Sequence, residues 1–260
     1  MCRIVLLGKP NVGKSSLMNH LVQQERSIVS AEPGTTRESI SETIQFHKAD
    51  IQVTDTAGIR RKRTVSDPLE TLMVKSSFRA VEQADVILLL VDAASGTLSD
   101  QELKLAFYVL EKHKALIILF NKHDLVQDYA QQDMEHRLVE YKHLMKKVPV
   151  LSISCATEKN LGRVMPLVHD VYKRHNQRFL DDELTMVIKD ALQHKPLYHN
   201  SSMLVVRKVK QVATAPITFL CIVNEPLWFG SSQLSFFENT FRKKYNLLGV
   251  PIRFFVRKKG

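Results

Sequence analysis

The sequence predicts an α/β protein in which a doubly wound, mostly parallel sheet is followed by a second and smaller α/β domain. Two observations favour this architecture. Short β-rich segments alternate with helical stretches as far as about Asn176, which is the order that βαβ units require. Four of these segments are nearly continuous apolar runs, as expected for parallel strands covered by helices on both faces. The runs are residues 4–7, 86–91, 115–120 and 148–153.

The other elements of the first domain follow from their residue patterns. Residues 40–46 and 50–54 are more polar and are joined by a short turn, so we expect an antiparallel hairpin at the edge of the sheet. Ser99 and Glu102 have the spacing of a capping box, which predicts the start of a helix. An apolar stripe within residues 161–171 predicts the helix that closes the domain.

A short, polar and unpatterned stretch separates the two domains. We therefore expect a first domain at residues 1–176, a linker at 177–182 and a second domain at 183–260. The second domain has the predicted order αββαβ, which makes a small α/β sandwich. Its elements are predicted at residues 184–194, 203–212, 217–223, 233–245 and 250–256.

Composition excludes several classes of protein. With 260 residues, 44% hydrophobic and 25% charged, the chain is long enough for a substantial core and unlike a disordered or fibrous protein. Its longest apolar runs are far shorter than the roughly 20 residues that span a bilayer, and no secretory signal follows Met1. Cys2, Cys155 and Cys221 lack metal or disulfide spacing. We therefore expect a cytoplasmic protein with no membrane contact.

The chain is basic, with 37 Lys and Arg residues against 27 Asp and Glu residues and a net charge of +10. Residues 181–260 contain twelve basic and six acidic residues, so +6 of this charge falls there. A basic surface concentrates polyanions, and nucleic acid is the first candidate. The alternative, that the charge serves solubility alone, stays open at this point.

Residues 8–15 read Gly-Lys-Pro-Asn-Val-Gly-Lys-Ser, which matches the pattern G-x-x-x-x-G-K-[ST]. The segment follows a predicted strand and opens a predicted helix, which is the context of a phosphate-binding loop. Its glycines allow backbone N–H groups to surround a phosphate at the helix N-terminus. We expect Lys14 to reach the β- and γ-phosphates of a nucleotide, and the Ser15 hydroxyl to bind Mg²⁺.

Two further tetrapeptides follow predicted strands and specify the nucleotide. In Asp55-Thr56-Ala57-Gly58, the carboxylate can hold Mg²⁺ through water and the last N–H can contact a γ-phosphate. In Asn121-Lys122-His123-Asp124, the carboxylate can accept both the N1–H and the N2 amino hydrogens of guanine. Adenine lacks these donors and would leave Asp124 unpaired, which can discriminate by ~10^4 or more. The three motifs together predict a GTP site.

These motifs resemble the first, third and fourth motifs of the translation-factor-like GTPases. Residues 33–37 resemble the G-T-T-R switch loop of the Era, Der and tRNA-modification group. Residues 154–156 lie where this group has Ser-Ala-x, whose backbone contacts guanine O6. Residues 58–62 resemble the second G domain of the Der (EngA) family, and residues 249–253 resemble the last strand of its C-terminal domain. The resemblance implies a P-loop GTPase fold followed by a small KH-like αββαβ domain.

The resemblance also implies roles for the site residues. Lys14, Asn11, Thr36, Asp55 and Gly58 would act in catalysis, with Ser15, Thr36 and Asp55 at Mg²⁺ and Asn11 at K⁺. Ile59 stands where other GTPases have a water-orienting Gln, and K⁺ would supply the charge of an arginine finger. The residues expected to contact GTP or GDP are Gly8, Lys9, Pro10, Asn11, Val12, Gly13, Lys14, Ser15, Ser16, Thr35, Thr36, Asp55, Thr56, Ala57, Gly58, Ile59, Asn121, Lys122, His123, Asp124, Ser154, Cys155 and Ala156.

As a function, the resemblance implies a slow, K⁺-stimulated GTPase that acts as a switch in large ribosomal subunit assembly through binding of ribosomal RNA. An Era-like GTPase of the small subunit is an alternative, which the missing second Gly of residues 230–233 disfavours. A non-hydrolysing, GTP-dependent interaction module is another. RNA contact would rest on Arg242, Lys243, Lys244, Arg253, Arg257, Lys258 and Lys259.

The expected assembly state is a monomer. In the Der family another G domain precedes the part that this chain resembles, and Met1 lies directly before the first predicted strand. We therefore expect the chain to be a fragment without that first G domain. A natural variant with a single G domain is the alternative.

Overall fold

The computed structural model describes residues 1–24, 40–46, 49–55, 75–95, 98–126 and 146–258. The chain divides into two compact units, Met1–Tyr172 and Lys173–Gly260. Among the described residues, no helix is both long and apolar enough to cross a lipid bilayer.

The first unit contains a six-stranded sheet with the order β2-β3-β1-β4-β5-β6. Its strands are β1 (Cys2–Leu7), β2 (Ile40–Phe46), β3 (Ala49–Asp55), β4 (Val86–Asp92), β5 (Ala115–Asn121) and β6 (Val150–Ser152). Neighbouring strands are parallel except β2 and β3, which confirms the predicted mostly parallel sheet with an antiparallel edge hairpin. The helices described here are α1 (Lys14–Gln24), α2 (Lys75–Gln83), α3 (Asp100–Glu111) and α4 (Val164–His175).

Burial explains why the central strands are apolar throughout. All of β5 is buried, and all of β4 except Asp92, because helices cover both faces of a parallel sheet. α3 begins at the predicted capping box: Ser99 Oγ accepts a hydrogen bond from Glu102 N at 3.4 Å, and Glu102 Oε2 accepts one from Ser99 N at 2.8 Å. This start places Leu105 and Val109 in the core against the sheet.

The second unit has a three-stranded sheet of order β11-β10-β9, in which β10 is parallel to β11 and antiparallel to β9. Its elements are α5 (Asp181–His194), β7 (Tyr198–His199), β8 (Ser202–Met203), β9 (Val206–Ala213), β10 (Ile217–Val223), α6 (Ser231–Lys244) and β11 (Ile252–Lys258). Phe219, Phe237 and Phe241 are fully buried and form its aromatic core. The αββαβ order is therefore confirmed, with a short β7–β8 hairpin added after α5.

Several predicted boundaries in this unit are wrong. α6 begins at Ser231 rather than residue 233, and β11 spans Ile252–Lys258 rather than residues 250–256. α5 begins at Asp181 rather than residue 184, so the last two residues of the predicted linker belong to the helix. Its first turn carries Asp181, Asp182 and Glu183, and negative charge stabilises a helix N-terminus without adding to an apolar stripe. The strand predicted at residues 203–212 is interrupted, since β8 ends at Met203 and β9 begins at Val206.

Candidate nucleotide-binding site

The predicted site residues meet where the parallel strands of the first unit end. The register places Leu6 beside Asp55, and Asp92 beside Asn121. Since the carboxyl ends of parallel strands lie at one edge, the loops that follow β1, β3, β4, β5 and β6 converge there. In open α/β sheets, ligands bind at this edge.

The loop between β1 and α1 has a backbone that only certain residues allow. Gly8, Asn11 and Gly13 have φ values of +143°, +63° and +98°. A Cβ at Gly8 would collide with the carbonyl oxygen of Leu90, and a Cβ at Gly13 would collide with Nδ2 of Asn121. Glycine is therefore required at both positions, and the loop leads into the N-terminus of α1, where backbone N–H groups and the helix dipole favour an anion.

Lys14 is held against the inside of this loop. Its side chain is buried, with 4% of the residue exposed, and its Nζ donates hydrogen bonds to the carbonyl oxygens of Gly8 at 3.0 Å and Lys9 at 2.6 Å. These bonds fix an ammonium group at the centre of the phosphate-binding loop. In a buried position such a charge attracts a phosphate more strongly than it would in water.

Ser15 and Asp55 lie together at the next position along the edge. Ser15 Oγ donates a hydrogen bond to Asp55 Oδ2 at 2.8 Å, and Asp55 is 3% exposed. A hydroxyl and a carboxylate are hard oxygen donors of the kind that Mg²⁺ takes beside nucleotide phosphates. These two residues therefore fit a magnesium ion, and they lie next to the loop that fits the phosphates.

Asn121 connects three loops of the site. It is buried at the end of β5, its Nδ2 donates to the carbonyl oxygen of Val12 at 2.8 Å, and its Oδ1 accepts from Cys155 N at 3.0 Å. One carboxamide thus fixes the phosphate-binding loop and the loop after β6 to the end of β5. Asn suits this role because its side chain carries both a donor and an acceptor.

Asp124 is positioned by the loop after β6. The hydroxyl of Ser154, which is fully buried, donates to Asp124 Oδ1 at 2.5 Å and accepts a bond from Thr157 N at 3.1 Å. His123 N donates to the carbonyl oxygen of Ile153 at 3.1 Å, which joins the same two loops through the backbone. Asp124 itself is exposed, so its carboxylate faces a region open to a ligand.

Asp92 is a site residue that the sequence analysis missed. Lys122 has a left-handed backbone with φ +63°, and its Nζ lies 2.6 Å from Asp92 Oδ2. Asp92 Oδ1 also accepts a hydrogen bond from Ala94 N at 3.0 Å. The signal in the sequence is the acidic residue that ends the apolar run of β4. The ion pair fixes the Lys122 side chain across the site.

The thiol of Cys155 lies in the same loop as Ser154. Burial raises its pKa above the ordinary value, the charge of Asp124 raises it further, and a hydrogen bond with Asn121 opposes the shift. The thiol is therefore a weaker nucleophile than an unstructured Cys at neutral pH.

The structure thus brings together the described part of the predicted site, which comprises residues 8–16, Asp55, residues 121–124 and residues 154–156. Thr35, Thr36, Thr56, Ala57, Gly58 and Ile59 lie outside the described residues.

The basic residues predicted to contact RNA do not share one environment. Arg242 is bound within the second unit: its guanidinium donates to Glu238 Oε1 at 2.8 Å and to the carbonyl oxygens of Leu247 and Val250. Lys258 lies 3.0 Å from Glu225 Oε2. Arg242 therefore has a structural role within the second unit, its contact with RNA stays a prediction, and Lys259 lies outside the described residues.

The chain resembles known proteins in both sequence and structure. A family model described as 50S ribosome-binding GTPase matches residues 3–122, and one described as KH-domain-like of EngA bacterial GTPase enzymes, C-terminal, matches residues 178–257. The GTPase Der of Desulforamulus reducens is 36% identical over 99% of this chain and 59% of its own length. The GTPase Der of Caldanaerobacter subterraneus subsp. tengcongensis gives the same identity and coverage. The chain thus spans 59% of the length of these relatives.

Among solved structures, translation elongation factor SelB from Methanococcus maripaludis, in complex with the GTP analogue GPPNHP, gives a TM-score of 0.51. Its identity is 14%, over 69% of this chain and 35% of that one, so the likeness shows the fold alone. The two family models match successive parts of the chain, first a GTPase domain and then a KH-like domain. The Der relatives contain both parts and align with 99% of the chain. Over nearly its whole length, the chain is therefore similar to part of the Der (EngA) GTPases.

Proposed function

We propose that this chain binds GTP and GDP with Mg²⁺, hydrolyses GTP, and acts as a nucleotide-dependent switch in assembly of the large ribosomal subunit through ribosomal RNA. The observation that carries the proposal is the convergence of Lys14, Asp55 and Asp124 at one edge of the sheet, each held by a hydrogen bond to another part of the site. The family descriptions support the ribosomal part of the proposal.

The phosphates would lie in the loop of residues 8–15. The backbone N–H groups of this loop would surround the β-phosphate, and Lys14 would move its ammonium from the carbonyl oxygens of Gly8 and Lys9 to the β- and γ-phosphate oxygens. Because charge builds up on these oxygens during phosphoryl transfer, a fixed cation there stabilises the transition state more than the ground state.

The guanine base would lie against the loops after β5 and β6. Asp124 would accept the N1–H and N2 amino hydrogens, with its carboxylate oriented by the hydroxyl of Ser154. The backbone of residues 154–156 would contact guanine O6. Adenine would leave the carboxylate without donors, so the site would select guanine nucleotides.

Ser15 and Asp55 would hold Mg²⁺, with Thr36 of the switch loop as a further ligand and Gly58 at the γ-phosphate. Mg²⁺ held there would supply positive charge that offsets the negative charge of the nucleotide phosphates. Asn11 is exposed on the phosphate-binding loop, and its carboxamide oxygen is a donor that suits K⁺. Since Ile59 has no group that orients water, we propose that hydrolysis is slow and depends on K⁺.

Two measurements test this function. GTP hydrolysis by the full chain should be faster in KCl than in NaCl, and equal rates would overturn the role of K⁺. Co-sedimentation with isolated ribosomal subunits should show binding to the large subunit that changes between a GTP analogue and GDP. Preference for the small subunit would indicate an Era-like function, and absent single-turnover hydrolysis would indicate a non-hydrolysing module. We propose that the chain acts in the cytoplasm and as a monomer.

A further inference from the structure

The three-stranded sheet of the second unit has one face packed into the core and one face turned to solvent. Phe219, Cys221 and Val223 of β10 are fully buried, whereas Leu220 and Ile222 between them are only half-buried. Because successive side chains of a strand point to opposite faces, Leu220 and Ile222 lie on the solvent face.

Strand register brings cations from both outer strands onto that face. Leu220 pairs with Phe255 of β11 and Lys210 of β9, while Ile222 pairs with Arg257 and Lys208. Residues that pair directly across two strands lie on the same face of a sheet. A residue two positions away on the same strand, such as Arg253 from Phe255, also lies on that face. We name the resulting surface the open sheet face; it consists of Lys208, Lys210, Leu220, Ile222, Arg253, Phe255 and Arg257.

Phe255 lies on the edge strand β11, between Arg253 and Arg257 of the open sheet face, and is 46% exposed. Its neighbour Phe254 instead packs on the core rings of Phe219 and Phe241. The guanidinium carbon of Arg253 lies 4.7 Å from the centre of the Phe255 ring, a cation–π contact that holds the exposed ring in place. An exposed aromatic ring beside a planar guanidinium is the arrangement on which nucleic acid bases stack.

A cavity of about 440 Å³ continues this surface at the start of β9. Its lining includes three cations, Lys189, Arg207 and Lys208, together with Ile222 of the open sheet face and two valines. None of the described residues that line it is acidic. Asp182 lies 3.8 Å from Lys208 Nζ, but it is 93% exposed, and exposed ion pairs are weak. The open sheet face and the cavity together therefore contain six cations, and Asp182 offsets only one of them weakly.

We propose that the open sheet face and the cavity beside it bind single-stranded RNA. This inference rests on the proposed function, which requires RNA binding, and it names the surface responsible. The charge is complementary to a phosphate backbone, and the exposed Phe255 favours unpaired bases, since a duplex hides its base faces from stacking. The groove between α5 and α6 is less suited, because Lys243 and Lys244 there share their surroundings with Glu183 and Asp190.

The test is a fluorescence anisotropy titration of the full chain with a labelled oligouridylate of about twelve nucleotides, at salt concentrations from about 50 to 200 mM. The double variant Lys208→Ala/Lys210→Ala should bind at least about tenfold more weakly at low salt, with a salt slope smaller by roughly 1.4 because two phosphate contacts are lost. The matched variant Lys243→Ala/Lys244→Ala removes the same charge from α6, at two residues that the sequence also predicts to contact RNA. If RNA lies on the open sheet face instead, this variant should change affinity less than about twofold.

Phe255→Leu separates stacking from charge. It should weaken binding about tenfold while the salt slope stays the same, and Phe255→Trp should restore affinity, because base stacking requires an aromatic ring. Far-UV circular dichroism and thermal unfolding that match the unmodified chain will show that the second unit of each variant is folded, since GDP binding reports on the first unit alone. Equal losses in the two double variants, with Phe255→Leu unaffected, would overturn the open sheet face as the site while leaving RNA binding intact. If the unmodified chain does not bind the oligonucleotide, the RNA part of the proposed function fails as well.

Discussion

Asn121 Nδ2 donates a hydrogen bond to the carbonyl oxygen of Val12 at 2.8 Å, although the two residues are 109 positions apart in the chain. Through Oδ1 the same side chain accepts a bond from Cys155 N at 3.0 Å. The loop that fits the phosphates and the loop that fits the base are therefore connected through one buried carboxamide. Damage to this connection should weaken both parts of the site together.

Gly13→Ala tests this connection. Gly13 has φ +98°, and a Cβ there would collide with Asn121 Nδ2. Because a non-glycine residue in such a conformation costs of order 1–3 kcal/mol before any clash, we expect GDP affinity to fall by more than about tenfold. The melting temperature should fall by several degrees, roughly 2–4 °C per kcal/mol for a domain of this size. Calorimetric titration and thermal unfolding measure the two effects.

Gly162→Ala is the matched control for Gly13→Ala. A Cβ at Gly162 meets nothing within 4 Å, so both GDP affinity and melting temperature should stay unchanged. Equal losses in the two variants would show that the account of Gly13 is wrong.

Asp124→Asn tests the recognition of guanine. The variant would place an NH₂ donor near the N–H donors of the base, so GTP affinity should fall by at least about 100-fold. Xanthosine triphosphate has a carbonyl oxygen in place of the N2 amino group, and its affinity relative to GTP should rise. Displacement of labelled GDP by GTP, xanthosine triphosphate and ATP measures these preferences. An unchanged GTP affinity would exclude Asp124 from contact with the base.

Alkylation tests the position of Cys155. Since burial raises the pKa of this thiol, its thiolate fraction at pH 8 is smaller than that of a free Cys and rises about tenfold per pH unit below the pKa. Iodoacetamide should therefore label Cys155 slowly at pH 8 and faster at pH 9, and GDP should slow the reaction.

Cys2 and Cys221 serve as internal controls in the same experiment. Both are buried, burial raises each pKa to about 12, and they should stay unlabelled in the native protein. Peptide mass spectrometry distinguishes the three sites. Labelling of Cys155 that is indifferent to GDP would place this residue away from the bound nucleotide.

Arg242→Lys tests the structural role of that guanidinium. Arg242 joins Glu238 to the carbonyl oxygens of Leu247 and Val250, which a single ammonium group cannot reproduce. The free energy of unfolding should fall by about 1–3 kcal/mol, whereas Lys243→Ala on the exposed side of α6 should change it by less than about 0.5 kcal/mol. Urea denaturation measures both. If the two variants are equally stable, Arg242 is free to serve another role.

Much of the fold could be predicted because its signals are local. β4 and β5 can be recognised from their apolar runs alone, because a parallel strand covered on both faces has no alternation of polar and apolar residues. The start of α3 follows from two residues three positions apart. The start of α5 was missed because Asp181 and Asp182 stabilise a helix terminus without contributing to the apolar stripe.

In the candidate site, too, features set by local sequence could be predicted and features set by tertiary contacts could not. The loop of residues 8–15 could be predicted because all its chemistry lies in one short segment. The bonds of Asn121 with Val12, and of Lys122 with Asp92, could not, since they depend on which strands are neighbours and in what register. Arg242 shows the same limit, because its neighbour Lys243 looks similar in sequence. Glu238, one turn earlier on α6, is a local partner, but only the return of the chain at residues 247–250 brings the two carbonyl oxygens that the guanidinium also binds.

Isothermal titration of the full chain with GTP, GDP and ATP, each with Mg²⁺, tests the central claim most directly. The convergence of Lys14, Asp55 and Asp124 predicts that GTP and GDP each bind once per chain, and that ATP binds about 10^4-fold more weakly or not measurably. Equal binding of ATP and GTP, or binding of neither, would contradict it.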